Sequence, residues 1–370
     1  MQRRTFLGLT LGLLAWGPGA TLGRPGQDRF LSCNSNRDGR HFVSLFEADG
    51  KVVFELPLPL RGHGATLSDD AKTAAVFSRR PGDLCWIVDL DQGKIVHQIK
   101  APLHTHYYGH GIYSKDGRSL MCCENRFATG DGVIGIYDAT DAYRRIGEFP
   151  AHGIGPHEIR RSPDGQTLIL ANGGIRTHPD LPRRKLNLSD MRPNLSYLNS
   201  DRGTLLEQVT PPQAWQQLSI RHLAVADDGL VAIAMQYQGG PQETPPLIGL
   251  HRRGQPLQLL SAPQKVQQRL NNYCGSVSFS SDGARFAVSA PRGGLVTVWS
   301  RNGDYLGQHD QADACGLAPL ENGFLVSDGL GTLQQIGAHS DSRVVLPAAQ
   351  TQWDNHLLPC TTISGTSISS

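Results

Sequence analysis

The sequence predicts an all-β protein, a seven-bladed β-propeller, and three observations carry that reading. His63, His110 and His157 stand 47 residues apart, a period in the range expected of propeller blades. Each heads a stretch of short apolar runs separated by Asp-Gly or similar turns. The 370 residues include 42 Gly and 23 Pro with 39% hydrophobic residues, which favours many turns over long helices.

The most legible unit is Gly155 to Asn172: a short strand, Ser162-Pro163-Asp164-Gly165, then Leu168-Ile169-Leu170. Pro presets φ, Asp bonds its own backbone and Gly accepts positive φ, so a tight hairpin follows. In chain order, strands are expected at 29–33, 41–46 and 51–56, around turns at Arg37-Asp38-Gly39 and Ala48-Asp49-Gly50. The next unit opens at His63, turns at Ser68-Asp69-Asp70 and continues at 73–78, 84–90 and 94–99. Another opens at His110, turns at Ser114-Lys115-Asp116-Gly117, and continues at 119–123, 132–138 and 145–149. The His157 unit follows. The unit at His222 turns at Asp227-Asp228-Gly229 before 230–236, 246–251 and 256–260. Two more open at Gly275 and Cys315, with strands at 285–290, 295–299 and 305–308, and at 324–327, 332–336 and 343–346. The N-terminal unit has three strands, and 354–359 is left over. Pairing the two ends of the chain in one blade would complete the ring and remove exposed sheet edges.

From His157 to His222 is 65 residues. The excess is assigned to an insertion at 174–202, whose mixture of Leu186, Leu188, Met191 and Leu195 with charged residues predicts an ordered segment across one face. The propeller is placed at 24–360, with a flexible tail at 361–370. Residues 1–23 read as a signal peptide. Arg3-Arg4-Thr5-Phe6-Leu7 precedes an apolar run too short to span a bilayer, and the adjacent arginines resemble the twin-arginine export signal. A periplasmic protein with no membrane span is therefore expected. A formal net charge of +2 gives no reason to expect nucleic acid as a partner. The seven cysteines contain no C-x-x-C pair, so zinc ribbons and covalent haem attachment lack their signatures.

In a propeller the first strand of each blade lines the central channel. The residues opening those strands are His63, His110, His157, His222, Cys315 and, on the spare strand, His356. Five imidazoles and a thiol converging on one axis suggest a metal site, since neutral imidazole suits iron, copper and zinc. Affinity is expected to weaken as pH falls through roughly 6.5, where protons compete for imidazole. Gly-His before a first strand also occurs as a structural feature of WD-type propellers, but the companion Trp-Asp pairs are absent. Pro156-His157 with Ser162-Pro163-Asp164-Gly165 instead resembles the propellers of periplasmic nitrite and nitrous oxide reductases, which hold a haem and a copper cluster. Arg176, His178, Asp180 and Arg183 of the insertion are candidate cofactor-binding residues covering the mouth. No G-x-S-x-G, Walker or dinucleotide motif is present.

Asn172-Gly173-Gly174-Ile175-Arg176-Thr177-His178-Pro179-Asp180, Lys185 to Leu188, Met191 to Leu195, Arg221-His222-Leu223-Ala224-Val225, Met235 to Gly239 and Trp353-Asp354-Asn355-His356 resemble the hallmarks of domain-of-unknown-function family 1513. The resemblance spans nearly all of the chain after the signal, with one departure: Arg126 stands where an acidic residue is expected. It implies a twin-arginine-exported propeller encoded near imelysin-like iron-regulated proteins and a dihaem oxidoreductase-like protein, and hence periplasmic iron handling with those proteins as partners. The combined expectation is a monomeric metal- or haem-binding propeller, not an enzyme. The alternatives are an interaction scaffold and a copper or haem oxidoreductase.

Overall fold

The computed structural model describes residues 28–181, 184–337, 343–345 and 351–360. The expected signal peptide and the 361–370 tail lie outside them, as does Arg183. Seven antiparallel sheets form a seven-bladed propeller. Blade one runs Gly62–Leu67, Thr73–Ser78, Leu84–Asp89 and Lys94–Lys100, and blade two Thr105–Tyr113, Ser119–Arg126, Asp131–Asp138 and Arg144–Pro150. Blade three comprises Pro156–Arg161, Thr167–Asn172, Asn194–Asn199 and Leu205–Val209. Blade four has Leu218–Val225, Val231–Tyr237, Ile248–His251 and Gln258–Leu260. Blade five has Ser276–Phe279, Arg285–Ala290, Leu295–Ser300 and Tyr305–Asp310, and blade six Ala314–Leu320, Gly323–Asp328, Leu333–Gly337 and Arg343–Val345. In the seventh sheet Arg29–Ser35, His41–Glu47 and Val52–Leu58 are joined by Gln352–Trp353 and Leu358–Pro359, which pair with Arg29–Ser35.

The recurrent turn has a common chemistry. The Ser114 hydroxyl donates to Asp116, Ser162 to Asp164 and Ser280 to Asp282, each at 2.5 Å. Each Asp also accepts the backbone N–H two residues on. These local bonds satisfy groups that a hairpin turn leaves unpaired, which is why the phrase recurs blade after blade. Buried second and third strands supply the core, as with Val76, Trp86 and Val88 of blade one and Ile233, Ile248 and Leu250 of blade four.

The span 174–202 is not all insertion, because the third strand of blade three, Asn194–Asn199, falls inside it. The added segment ends at Pro193. Asn187 ties it to the blade: its Oδ1 accepts the Arg176 N–H at 2.7 Å and its Nδ2 donates to the Gly174 carbonyl at 2.9 Å. Ile175 and Met191 of the segment are buried.

Candidate metal centre at the channel mouth

The innermost strand of a blade alternates side chains between its two faces, so a regular ladder would not aim a ring of side chains at one point. Here the ladders break. Register shifts fall between Gly62 and Ala65, Tyr107 and Gly111, Pro156 and Glu158, and Ile220 and His222. Such bulges re-aim the residues they contain, and His63, His110, His157 and His222 sit within or beside them. Glycine makes the approach close enough. Gly109 has φ +101°, and a Cβ there would stand 2.6 Å from Cδ2 of His63.

The result is a cluster of five imidazoles. His63, His110, His157, His222 and His356 have ring centroids 4.6 to 6.0 Å apart in eight pairs. Two sets of three, His63–His110–His356 and His110–His157–His222, place one ligand atom from each residue within 4.8 Å of the others. His110 belongs to both. The cluster borders a channel cavity of about 720 Å³, which His63, His110 and His356 line, and a smaller one of about 230 Å³, which His63, His157 and His222 line.

Two carboxylates stand behind the rings. His63 Nδ1 lies 2.6 Å from Asp354 Oδ1, and His222 Nδ1 lies 3.0 Å from Glu158 Oε2. Each pair leaves Nε2 as the free ring nitrogen, the arrangement that fixes the tautomer of a metal-binding histidine. Each carboxylate is held in turn by an arginine: Arg61 Nη2 is 2.7 Å from Asp354, and Arg160 Nη2 is 2.5 Å from Glu158. Burial works to raise Asp354, but His63, Arg61 and Arg79 outweigh it and hold the carboxyl well below its usual range. Glu158 is lowered in the same way, with Arg160 and His222 overcoming burial. His110 Nε2, His157 Nδ1 and His356 Nε2 are buried with no hydrogen-bond partner. Burial, reinforced by the neighbouring imidazoles, pushes all three rings well below the ordinary histidine range. The shift favours the uncharged ring, whose one lone pair can face a ligand in the appropriate tautomer.

The other sequence candidates lie elsewhere. Cys315 is buried in its own bulge, donates to the Asp313 carbonyl at 3.1 Å and joins neither histidine set. Burial raises its thiol, so it is a poor thiolate. Arg176 runs beside Gly130 on blade two. His178 packs edge-on against Phe127 at 5.1 Å, with Asp180 3.6 Å from its Nδ1. These three form a rim contact, and the insertion presents Arg184 and Lys185 to the mouth instead, beside Arg80 and Arg221. Arg126, where the resemblance led one to expect an acid, pairs with Glu148. All seven cysteines are unpaired. Among the described residues, no helix is long and apolar enough to cross a membrane.

The family model described as "Protein of unknown function (DUF1513)" matches residues 56–360. No curated protein matches the chain in sequence. Among solved structures, Kuenenia stuttgartiensis hydrazine synthase is similar in fold. The match has a TM-score of 0.59 and 14% identity, covering 91% of this chain and 100% of that one.

Proposed function

The chain belongs to the DUF1513 family, and we propose that it is a periplasmic binding protein that holds a transition-metal ion on its channel-mouth histidines and serves iron handling. One observation carries this reading: His110, His157 and His356 each bury a ring nitrogen that has no hydrogen-bond partner. Each such atom costs on the order of 1–3 kcal/mol. Leucine or phenylalanine would fill the same space without that cost. A metal ion satisfies several of these nitrogens at once.

Either set of three imidazoles, His63–His110–His356 or His110–His157–His222, contains two of these unpartnered nitrogens and, with a position left open, suits zinc, copper or ferrous iron. The carboxylates behind His63 and His222 orient two further nitrogens toward the same space. The rings of the eight neighbouring pairs, with centroids at most 6.0 Å apart, stand too close together for a haem to slide between them, which favours a bare ion. The likeness to hydrazine synthase supports the fold and carries no chemistry across. Six buried, unpaired cysteines suit a chain that folds in a reducing compartment before twin-arginine export. The imelysin-like and dihaem oxidoreductase-like proteins remain the proposed partners, on the strength of the family resemblance.

Elemental analysis and a visible spectrum of untagged protein purified from the periplasm test the site. About one iron, copper or zinc per chain is expected. His110→Ala, which breaks both histidine sets, should lose it. His157→Ala, which spares His63–His110–His356, should retain part. A metal-free wild type that takes up none of these ions on titration would reduce the ring to architecture.

A further inference from the structure

Outside the imidazole ring, the channel mouth is a cup of positive charge. Two adjoining cavities of about 280 and 230 Å³ share Arg80, Tyr108, Lys185 and Arg221 in their walls, and Arg79, Arg184 and Arg292 complete them. No Asp or Glu lines either one, in a chain whose 35 basic residues are nearly matched by 33 acidic ones. Elsewhere the arginines find acids: Arg61 with Asp354, Arg145 with Glu124, Arg252 with Asp228. The side chains of Arg80 and Arg221 make no ion pair or hydrogen bond among the described residues, and the Arg221 Nε is buried without a partner. Burial, with the charge of Arg79 acting on Arg80 and that of Arg80 on Arg221, pulls Arg80 below its ordinary value and Arg221 down to about 10. An uncompensated buried charge is among the costliest features a fold can carry. Arg80 and Arg221 are half-buried, line the same two cavities and have no acid within them, so a ligand that enters would offset their charge.

We infer that this cup binds a small multivalent oxyanion, a polycarboxylate or a phosphate, gripped by Arg80 and Arg221 with Lys185 closing over it. Guanidinium forks recognise both chemistries through paired N–H bonds. The volume admits a small anion. His157 and His222 line the same cavity, so the bound anion lies against the imidazole ring. Neutral imidazoles leave a bound metal ion its full charge, and an anion here would offset it. The inference stands without that ion, because the unpaired guanidiniums are present either way.

Isothermal titration of metal-free full-length protein with inorganic phosphate, and separately with tricarballylate, tests it. At least one anion should bind at about one per chain, more weakly as salt is added. Affinity should fall tenfold or more in Arg221→Gln and also in Lys185→Ala, an exposed change that spares the fold. Arg252→Gln, on a paired surface arginine, should leave it unchanged. Tighter binding of one probe identifies the class. No binding of either, or binding that survives both cup variants, overturns the inference. The experiment contains no metal, so its failure leaves the imidazole reading untouched, and a metal-free histidine ring leaves this one untouched.

Discussion

Asp354 is buried, and four groups meet its carboxylate and favour its charged form: His63 through Nδ1, Arg61 and Arg79 through their guanidiniums, and the Asn355 N–H at 2.8 Å. Removing one partner of a buried pair leaves the others uncompensated, at about 3–5 kcal/mol. Asp354→Asn should therefore lower unfolding stability by roughly 3 kcal/mol in denaturant titrations. It should also weaken metal uptake by about 10–100-fold, because the tautomer of His63 is no longer fixed. A variant that loses stability but binds metal as before would show that Asp354 only holds the fold. The histidines were legible in the sequence because a repeat puts like residues at like positions. Arg80 and Arg221 were not, although Arg221 immediately precedes His222. Their significance lies in the absence of an acid nearby, and a chain-wide charge of +2 averages that away.

At the scale of elements, the bulges and the insertion do most to shape the site. Four strands reach the channel with regular turns behind them, and the sequence shows those turns plainly. The bulges have no such signature, so a reader of the sequence could place the histidines at strand heads but not see that they touch. Asn194–Asn199 was hidden for a related reason. Asparagine is poor in strands, and the segment opens on one whose Oδ1 is bonded by Asn172 at 2.8 Å and Ser196 at 2.8 Å, contacts invisible in one dimension. The insertion rests on Asn187, which bonds the Arg176 N–H and the Gly174 carbonyl. Asn187→Ala orphans both backbone groups, at about 1–3 kcal/mol. The loss should be local: amide exchange should accelerate over 176–188 while the blades remain protected. Lys185 rides on this segment, so anion affinity should drop in the same variant. Unchanged exchange over 176–188 would mean that other contacts hold the segment in place.

For the whole molecule, the histidine cluster sets the response to acid. Burial is the first cause lowering His63, His110, His157 and His356 from the ordinary value of 6.5, and the neighbouring rings reinforce it. Asp354 pulls His63 the other way without prevailing, while Arg79 near His63, Arg221 near His157 and Arg160 near His356 push in the same direction as burial. Below pH 6.5 the unfolded chain takes protons that the folded one refuses, so stability falls as pH falls. The limit is about 1.4 kcal/mol per pH unit for each such histidine. Asp354 and Glu158, lowered from 3.8 and 4.5, add their own loss only at more acid pH, once the unfolded carboxylates protonate. Metal-free protein should thus lose roughly 4 kcal/mol between pH 7.5 and 5.5 by denaturant unfolding, and His110→Ala should flatten the slope. The same depressed values correct the simple expectation for binding. Rings that are already neutral need not shed protons to take a metal, so affinity should stay level through pH 6.5 and weaken only well below it. A stability profile flat from 7.5 to 5.5 would mean that the rings carry protons in the folded state. In that case they could not present the lone pairs on which the metal reading depends.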